Sequence, residues 1–319
     1  MWKMVGMLMN AGLRMNAGYI FWACCMVKQV AAFQFGSFAF VEHHSREHTA
    51  HECRAPNKFV EHYLREISLC NLRSVVWNPS TAEEGVDLDT FRVNMRGRTL
   101  LFWGDSTSAQ MAEMLACLMV ASTRLVCQQT RVGNKDCLTW NNGFKLCKLR
   151  QNVLTKKLPI EIRRLGKADV VIANFGLHYN INDKITGKRQ LRNDMHMLAR
   201  EVPKVKCHFV WRETTATHFN APHGIWPGAS YQQFLKLRSP SRSCAGMDLQ
   251  DGESARKALW RNSVGELIGK ATKHVIQMGN QTLSLPPNSH YSGRDCMHFC
   301  NPLGFVQMIV AYVTKCVVV

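Results

Sequence analysis

Beyond its N-terminus the 319-residue sequence has no apolar stretch long enough to cross a bilayer, since a membrane-spanning helix needs about 20 residues. It has no internal repeat, no linker rich in proline, glycine or serine, and no block of like charge. Acidic residues are few, 23 against 40 lysines and arginines, and the formal net charge is +17. These absences exclude a multi-pass membrane protein, a repeat array and a chain divided by a flexible linker. With 46% hydrophobic residues, the chain is predicted to fold around a substantial core.

The cysteines lack the paired Cys-x-x-Cys spacing of structural zinc sites. Thirteen of them are scattered through the chain, a pattern that favours an oxidising compartment and several disulfides. Because the number is odd, at least one cysteine must stay unpaired or bond to another chain, and Cys24 or Cys25 is the natural candidate. The sequence leaves the pairing open.

Residues 1–41 have the pattern of a secretory leader. Lys3 and Arg14 precede a long apolar region that only Lys28 interrupts. Basic residues ahead of an apolar segment indicate a signal peptide or a signal anchor, and both remain open here. The predicted location is the secretory pathway: the Golgi or ER lumen behind a single-pass type II anchor, or secretion.

The rest of the chain is predicted to consist of two parts. Residues 42–95 are interpreted as a stalk and an N-terminal extension that packs on the core, and residues 96–319 as the catalytic domain. His44, His48 and His51 would share one face of a helix, which would suit a metal ion. A solvated stalk has the same composition, and we predict no metal.

Strand-like and helix-like segments alternate beyond Arg96. The predicted strands cover residues 99–103, 169–174, 207–211 and 274–278, and the predicted helices cover residues 109–121, 190–201, 254–273 and 305–313. The continuous Val/Ile run in residues 169–174 is typical of a strand covered on both faces. The alternation predicts an α/β fold whose parallel sheet has helices on both faces.

Ser106 is a candidate nucleophile. It ends the tripeptide Gly104-Asp105-Ser106, which links an apolar strand directly to an amphipathic helix. In open α/β sheets ligands bind at the carboxyl ends of the strands, and the N–H groups of a helix N-terminus can stabilise a developing oxyanion. The alternative interpretation is that Asp105 or Ser106 only caps the helix.

Asp295-x-x-His298 supplies the partners that such a nucleophile requires. A serine needs a base, and the base needs a carboxylate that orients it. Cys296 and Cys300 are available to fasten this segment to the body even if it forms a loop. The alternative, with Cys296, His298 and Cys300 as metal ligands, is weaker because alternate residues in a tight loop rarely converge on one ion.

These segments in this order resemble the SGNH (GDSL) hydrolase superfamily. The similar blocks are Gly104-Asp105-Ser106, residues 169–178, residues 211–219 with the sequence Trp-Arg-Glu-Thr-Thr-Ala-Thr-His-Phe, and Asp295-x-x-His298. They are most similar to the PC-esterase branch, which contains the plant trichome-birefringence-like polysaccharide O-acetyltransferases and sialate O-acetyltransferases. The blocks extend over residues 98–304. The resemblance implies a three-layer, flavodoxin-like α/β fold.

The resemblance also implies a role for each residue of the first and last blocks. Ser106 would accept the acyl group, His298 would act as general base and then as general acid, and Asp295 would orient His298. Gly104 and Asp105 would form the oxyanion- and substrate-binding turn around the nucleophile.

The middle blocks imply further contacts. The acyl oxyanion would be held by the backbone N–H of Ser106 together with Asn174 or an N–H near Gly176. Arg212 would contact the substrate or the oxyanion, and His218 would be a pocket residue.

The chain departs from the plant enzymes in two of these blocks. Residues 107–110 read Thr-Ser-Ala-Gln instead of Leu-Ser-Arg-Asn, so the arginine of that motif is absent. Asn174 is followed by Phe-Gly-Leu-His instead of Thr-Gly-His-Trp, and His178 is interpreted as a hydrogen-bonded core histidine. The acceptor specificity is left open by these changes.

The expected function is transfer of an acyl group, most simply acetyl, to or from glycan hydroxyls through a serine acyl-enzyme. A polysaccharide O-acetyltransferase is favoured, and the alternatives are a carbohydrate acetylesterase and a catalytically silent glycan-binding relative. No bound cofactor is expected, although acetyl-CoA or an acetylated carrier could be the donor. The partner would be a glycan, an acidic one if the positive charge is used. No nucleic-acid-binding motif is visible, so nucleic acid is not a predicted partner.

Overall fold

The computed structural model describes most of the chain from Ser37 onward. The described residues are 37–42, 59–60, 73–78, 87–122, 127–132, 135–155, 158–165, 167–179, 186–220, 244–246, 259–292, 295–300 and 302–317. The chain divides into two compact units, Met1–Phe33 and Gln34–Val319, and the first lies outside the described residues. The leader before Ser37, Cys24, Cys25 and the histidine cluster of His44, His48 and His51 also lie outside them.

The elements are numbered in chain order. The strands are β1 (Ser37–Glu42), β2 (Arg73–Asn78), β3 (Thr99–Gly104), β4 (Cys127–Val132), β5 (Lys135–Trp140), β6 (Lys145–Arg150), β7 (Val170–Asn174), β8 (His208–Arg212), β9 (Val275–Ile276), β10 (His290–Ser292) and β11 (Asp295–Phe299). The α-helices are α1 (Leu88–Asn94), α2 (Ser106–Ser122), α3 (Leu158–Leu165), α4 (Gly187–Glu201), α5 (Trp260–Thr272), α6 (Gly279–Leu283) and α7 (Leu303–Cys316).

A seven-stranded sheet with the order β4-β5-β6-β3-β7-β8-β9 forms the centre. Strands β6, β3, β7, β8 and β9 run parallel, and β5 and β4 extend one side of the sheet in antiparallel fashion. The residues of β7 are all buried, as are those of β3 after Thr99. This burial is expected for strands with helices on both faces. The predicted α/β fold with a mostly parallel sheet is confirmed.

The two faces of the sheet pack against different helices. Alternate residues of the central strands, among them Leu101, Trp103, Val171 and Trp211, join the apolar faces of α3, α4 and α5 in one core. Trp103 contacts the edge of Phe175 with ring centroids 4.9 Å apart. Helix α2 packs on the opposite face against β3 and β6, and α7 packs on α2. The result is three layers.

Each segment of the predicted pattern has a counterpart among the described elements. Residues 99–103 correspond to β3, 169–174 to β7, 207–211 to β8, 274–278 to β9, 109–121 to α2, 190–201 to α4, 254–273 to α5 and 305–313 to α7. Helix α2 begins three residues earlier than predicted, at Ser106, because Asp105 accepts a hydrogen bond from the Thr107 N–H and caps the helix. Residues 254–258 lie outside the described part.

Several strands were not predicted from the sequence. Strands β4 and β5 lie at the edge of the sheet and carry many polar residues, so they lack the apolar alternation that marks a half-buried strand. Asp295 and His298 lie on β11 of a short antiparallel hairpin with β10, and not on a loop. A strand of five residues held by contacts with the body gives little periodic signal of its own.

The segment before the sheet also contacts the body. Strands β1 and β2 form an antiparallel pair, so residues 37–41 of the predicted leader belong to a strand. The Val75 N–H of β2 donates a hydrogen bond of 3.2 Å to the Cys300 carbonyl. On α1, Phe91 contacts Phe144 edge-to-face with ring centroids 5.8 Å apart.

Two disulfides have both cysteines within the described residues, Cys137–Cys147 and Cys244–Cys296. The first joins directly paired positions of β5 and β6, and the second fastens β11. Cys117 and Cys300 are disulfide-bonded as well, whereas Cys127 and Cys207 are thiols. These bonds indicate an oxidising secretory or extracellular environment. No helix within the described ranges is long and apolar enough to span a membrane.

Replacing Gly265 of α5 by alanine should destabilise the protein by about 1–3 kcal/mol, because the added carbon would overpack the core. It would lie 2.6 Å from Nε1 of the buried Trp211 on β8. Gly246→Ala is the matched control, since the nearest side-chain atoms there are 3.9 Å away. Urea unfolding of the three proteins measures the effect. If Gly265→Ala were neutral or stabilising, as helix propensity alone predicts, α5 would not pack on β8 in this way.

Candidate active site

The carboxyl end of β3 places Ser106 at the start of α2. Gly104, the last residue of β3, pairs in register with Asn174 at the end of β7. A Cβ at position 104 would overlap the Asn174 carbonyl oxygen and lie 2.6 Å from Ser108 Oγ. Glycine is therefore required for the close approach of the two strand ends. That approach puts Ser106 at the edge of the sheet where the parallel strands end.

Ser106, His298 and Asp295 form one hydrogen-bonded series. Ser106 Oγ lies 2.7 Å from His298 Nε2, and His298 Nδ1 lies 2.8 Å from Asp295 Oδ2. Ser106 is 4% exposed and His298 is 7% exposed. When Nδ1–H donates to the carboxylate, Nε2 is free to accept the serine proton. The structure thus brings together the three residues that the sequence analysis assigned to nucleophile, base and orienting acid.

The Asp295 carboxylate is fixed within its own strand. Its Oδ1 accepts hydrogen bonds of 3.1 Å from the backbone N–H groups of Met297 and His298. Burial raises the pKa of Asp295, but the positive charge of His298 and these hydrogen bonds outweigh burial and lower it to about 2. The carboxylate is therefore ionised at neutral pH and can stabilise an imidazolium.

Gln110 of α2 holds the β10–β11 hairpin against the nucleophile helix. Its side-chain amide nitrogen donates to the Phe299 carbonyl at 2.7 Å and to the Tyr291 hydroxyl. The Tyr291 ring stacks on the His298 ring with centroids 5.6 Å apart. Gln110 was not identified from the sequence as a site residue. Its position one helical turn after Ser106 is the sequence signal that could have identified it.

Asp105 and Arg212 form hydrogen bonds to the two residues that follow the nucleophile. Asp105 Oδ1 accepts hydrogen bonds from the Thr107 N–H at 3.0 Å and the Thr107 hydroxyl at 2.7 Å. Arg212 Nη2 donates to Thr107 Oγ1 at 3.0 Å and to Ser108 Oγ at 3.1 Å. Both Asp105 and Arg212 are fully buried. Asp105 therefore caps α2, and Ser106 faces His298. The helix-cap interpretation thus applies to Asp105, and the nucleophile interpretation applies to Ser106.

Arg212 is placed as a support of the turn and not as a surface contact for a substrate. Burial lowers the pKa of its guanidinium to about 10, against the opposing effect of the Asp105 charge. The group stays protonated at neutral pH. Its hydrogen bonds to the hydroxyls that follow Ser106 fix the turn directly.

The predicted oxyanion donors differ in availability. The Ser106 backbone N–H has no acceptor among the described residues. The Asn174 amide nitrogen donates to the Arg212 carbonyl and to Thr214 Oγ1, both at 3.0 Å, so both of its hydrogens are engaged. Gly176 is buried two residues beyond Asn174. Asn174 therefore joins the ends of β7 and β8 in this structure.

His218, the predicted pocket residue, is hydrogen-bonded inside the protein. It is fully buried, with Nδ1 at 2.7 Å from His290 Nε2 and Nε2 at 3.2 Å from the Leu283 carbonyl oxygen. His290 Nδ1 in turn lies 3.0 Å from the carbonyl oxygen of His298. Burial lowers the pKa of His218, and burial together with His218 lowers that of His290 to about 3. His218 and His290 therefore hold the β10–β11 hairpin through hydrogen bonds within the protein.

His178 also differs from its interpretation as a core histidine, because its side chain is exposed.

The alternative metal site at Cys296, His298 and Cys300 is excluded, since both sulfurs are in disulfides and not thiolates. Within the described part of the chain, no group of three or more His, Cys, Asp or Glu residues is arranged to hold a metal ion.

The fold and this site together define an α/β protein with a Ser–His–Asp arrangement at the carboxyl edge of its parallel strands. A scan against protein-family models finds no match, and a search of curated protein sequences finds none either. What the site can do therefore rests on its geometry and on the residues themselves.

Replacing Asp295 by asparagine should slow the reaction of Ser106 with an organophosphonate probe by about 10³ to 10⁴, because the histidine loses its orienting carboxylate. Intact-mass spectrometry of the labelled protein over time measures the rate. Asp89→Asn on the exposed surface of α1 is the control and should react like the parent protein. An unchanged rate in folded Asp295→Asn would contradict the assigned role of Asp295.

Proposed function

We propose that the protein transfers an acyl group, most simply acetyl, to or from glycan hydroxyls through a covalent intermediate on Ser106. The observation that carries the proposal is the alignment of Ser106 Oγ, His298 and Asp295 at 2.7 and 2.8 Å. Nucleophile, base and orienting carboxylate in hydrogen-bond contact are the arrangement that acyl transfer through serine requires.

The first half of the reaction forms the acyl-enzyme. Ser106 Oγ attacks the acyl carbonyl carbon while its proton passes to His298 Nε2, and the carbonyl electron pair moves to the oxygen. The Ser106 N–H, at the positive end of α2, is available to stabilise that oxygen. When the tetrahedral intermediate collapses, the leaving group departs with the proton from His298.

The second half repeats these steps with an acceptor hydroxyl. His298 removes the hydroxyl proton, the acceptor oxygen attacks the acyl carbon on Ser106, and Ser106 leaves with the proton from His298. With a sugar hydroxyl as acceptor the protein is an O-acetyltransferase, and with water it is an acetylesterase. The outcome depends on how far water is excluded from the site.

The glycan as substrate is supported by the resemblance of four ordered blocks to the PC-esterase branch. Acetyl-CoA or an acetylated carrier is the corresponding donor. The net charge of +17 favours acidic glycans over neutral ones. The disulfides fit the ER or Golgi lumen, or secretion, as the place of action. The intact arrangement around Ser106 argues against a silent binding module.

The test is covalent labelling of the full chain produced in an oxidising host. Incubation with an activated acetyl ester should give one acetyl adduct by intact mass, localised to Ser106 by peptide mapping. Ser106→Ala should form no adduct, and His298→Ala should slow acylation by about 10³ or more. Ser263→Ala, on the exposed side of α5, is the control and should acylate normally. Absence of an adduct from folded, disulfide-bonded protein would overturn the proposal.

Partitioning of the acetyl group then separates transfer from hydrolysis. The acetylated protein is offered a glycan mixture, and acetyl esters on the glycans and free acetate are both measured. Acetylated glycan in excess over acetate supports the transferase, and acetate alone supports the esterase.

A further inference from the structure

Arg261 is a buried cation in the first turn of α5. Its side chain is only 5% exposed, and its Nε is buried without a hydrogen-bond partner. No hydrogen bond or ion pair with another described residue involves its guanidinium. Buried guanidinium groups are costly unless they are paired. An unpaired one at the same edge of the sheet as Ser106 therefore points to a partner that arrives with the substrate.

The contact between Arg261 and Gly176 places Arg261 at the edge of the sheet where Ser106 lies. A Cβ on Gly176 would lie 3.2 Å from Arg261 Cδ and 2.5 Å from Thr214 Oγ1. Gly176 follows the end of β7, which pairs with the end of β3 immediately before Ser106. Arg261 therefore lies at the same edge of the sheet as Ser106. The charge of Asp105 acts on Arg261 across this edge.

Both neighbours of Arg261 in the sequence are anchored. Asn262 Oδ1 accepts from the Thr214 N–H at 2.8 Å, and Asn262 Nδ2 donates to the Thr214 carbonyl at 2.9 Å. The Trp260 ring lies beneath the charged groups of Lys188 and Arg192. These contacts hold the first turn of α5 in one orientation, so the position of Arg261 is set in advance of any ligand.

Arg261 also stands where a cation is locally unfavourable. It lies in the first turn of α5, where the helix dipole favours negative charge. Burial further lowers the pKa of its guanidinium to about 10, which leaves it protonated at neutral pH. Among the described residues only the Asp105 charge acts in the opposite direction, and no hydrogen bond or ion pair joins Asp105 to Arg261.

The Arg212 and Asn174 side chains at this edge hydrogen-bond to the protein, and Arg212 Nε is the one nitrogen of theirs without a partner among the described residues. Arg212 holds Thr107 and Ser108, and the Asn174 amide holds the ends of β7 and β8. Among the predicted donors, the backbone N–H groups of Ser106 and Gly176 have no acceptor within the described residues, and Arg261 lies against Gly176. Oxyanion sites generally combine at least two donors aimed at the developing charge.

We propose that Arg261 is a further catalytic residue, whose guanidinium binds the acyl oxygen that becomes negatively charged when Ser106 attacks. The inference rests on the proposed acyl transfer. The carbonyl electron pair moves to the oxygen as the Ser106–acyl bond forms, and returns as the bond to the leaving group breaks. Arg261 stays protonated throughout, and proton transfer runs between Ser106, His298 and the leaving group.

Rapid-quench acylation of the full chain by an activated acetyl ester tests the proposal. Arg261→Met should slow Ser106 acylation by about 10² to 10³, with little change in KM for the ester, because the lost contact forms in the transition state. Arg261→Lys keeps the positive charge but lacks the planar guanidinium with its several N–H donors, so it should give an intermediate rate. Lys270→Gln removes an exposed cation from the same helix and is the control, with a rate like that of the parent protein.

Chemical rescue separates a catalytic role from a structural one. Methylguanidine should restore a substantial part of the acylation rate of Arg261→Ala and should have no effect on Lys270→Gln. A slow Arg261→Ala protein that is folded but not rescued would overturn the catalytic role. Arg261 variants that acylate at the parent rate would overturn this inference and leave the acyl-enzyme standing. A parent chain that forms no adduct would overturn both.

Discussion

The contact between Ser106 and His298 depends on how the β10–β11 hairpin is held against α2. The two residues are 192 positions apart, and Gln110 supports their 2.7 Å approach by binding the hairpin at Phe299 and Tyr291. The Cys244–Cys296 disulfide also fastens the same hairpin. A short hairpin is only marginally stable alone, so these contacts with the body decide where His298 points.

Buried charge beneath the nucleophile is the second constraint on the site. Asp105 caps α2, and Arg212 holds the hydroxyls of Thr107 and Ser108, so the turn is fixed by groups that have no access to solvent. Low local polarity strengthens each of these interactions and makes each unpaired group costly. Arg261 adds a second buried cation at this edge of the sheet. Among the described residues, Asp105 is the one carboxylate whose charge acts on both arginines, so two buried cations face one buried anion and the local field favours an anionic oxygen.

Much of the central sheet was predictable because its strands and helices have strong local signals. The continuous apolar residues of β3 and β7 predict strands covered on both faces, and the apolar face of α2 predicts the helix that follows. The polar edge strands β4 and β5 and the short strand β11 were not predicted, because their order comes from pairing and from a disulfide. Arg261 was missed for a related reason: one arginine in an amphipathic helix gives no sign of being buried.

The sequence by itself determined the α/β class and the local geometry of the nucleophile turn, because hydrophobic periodicity, Gly104 and the capping carboxylate act over only a few residues. It also named Ser106, Asp295 and His298, whose residue types and order suit acyl transfer. Only the tertiary structure decided that these three meet, that Asn174 and Arg212 support the turn, and that Arg261 stands beside Gly176. Those placements depend on contacts between residues far apart in the chain, and no local pattern encodes such distances.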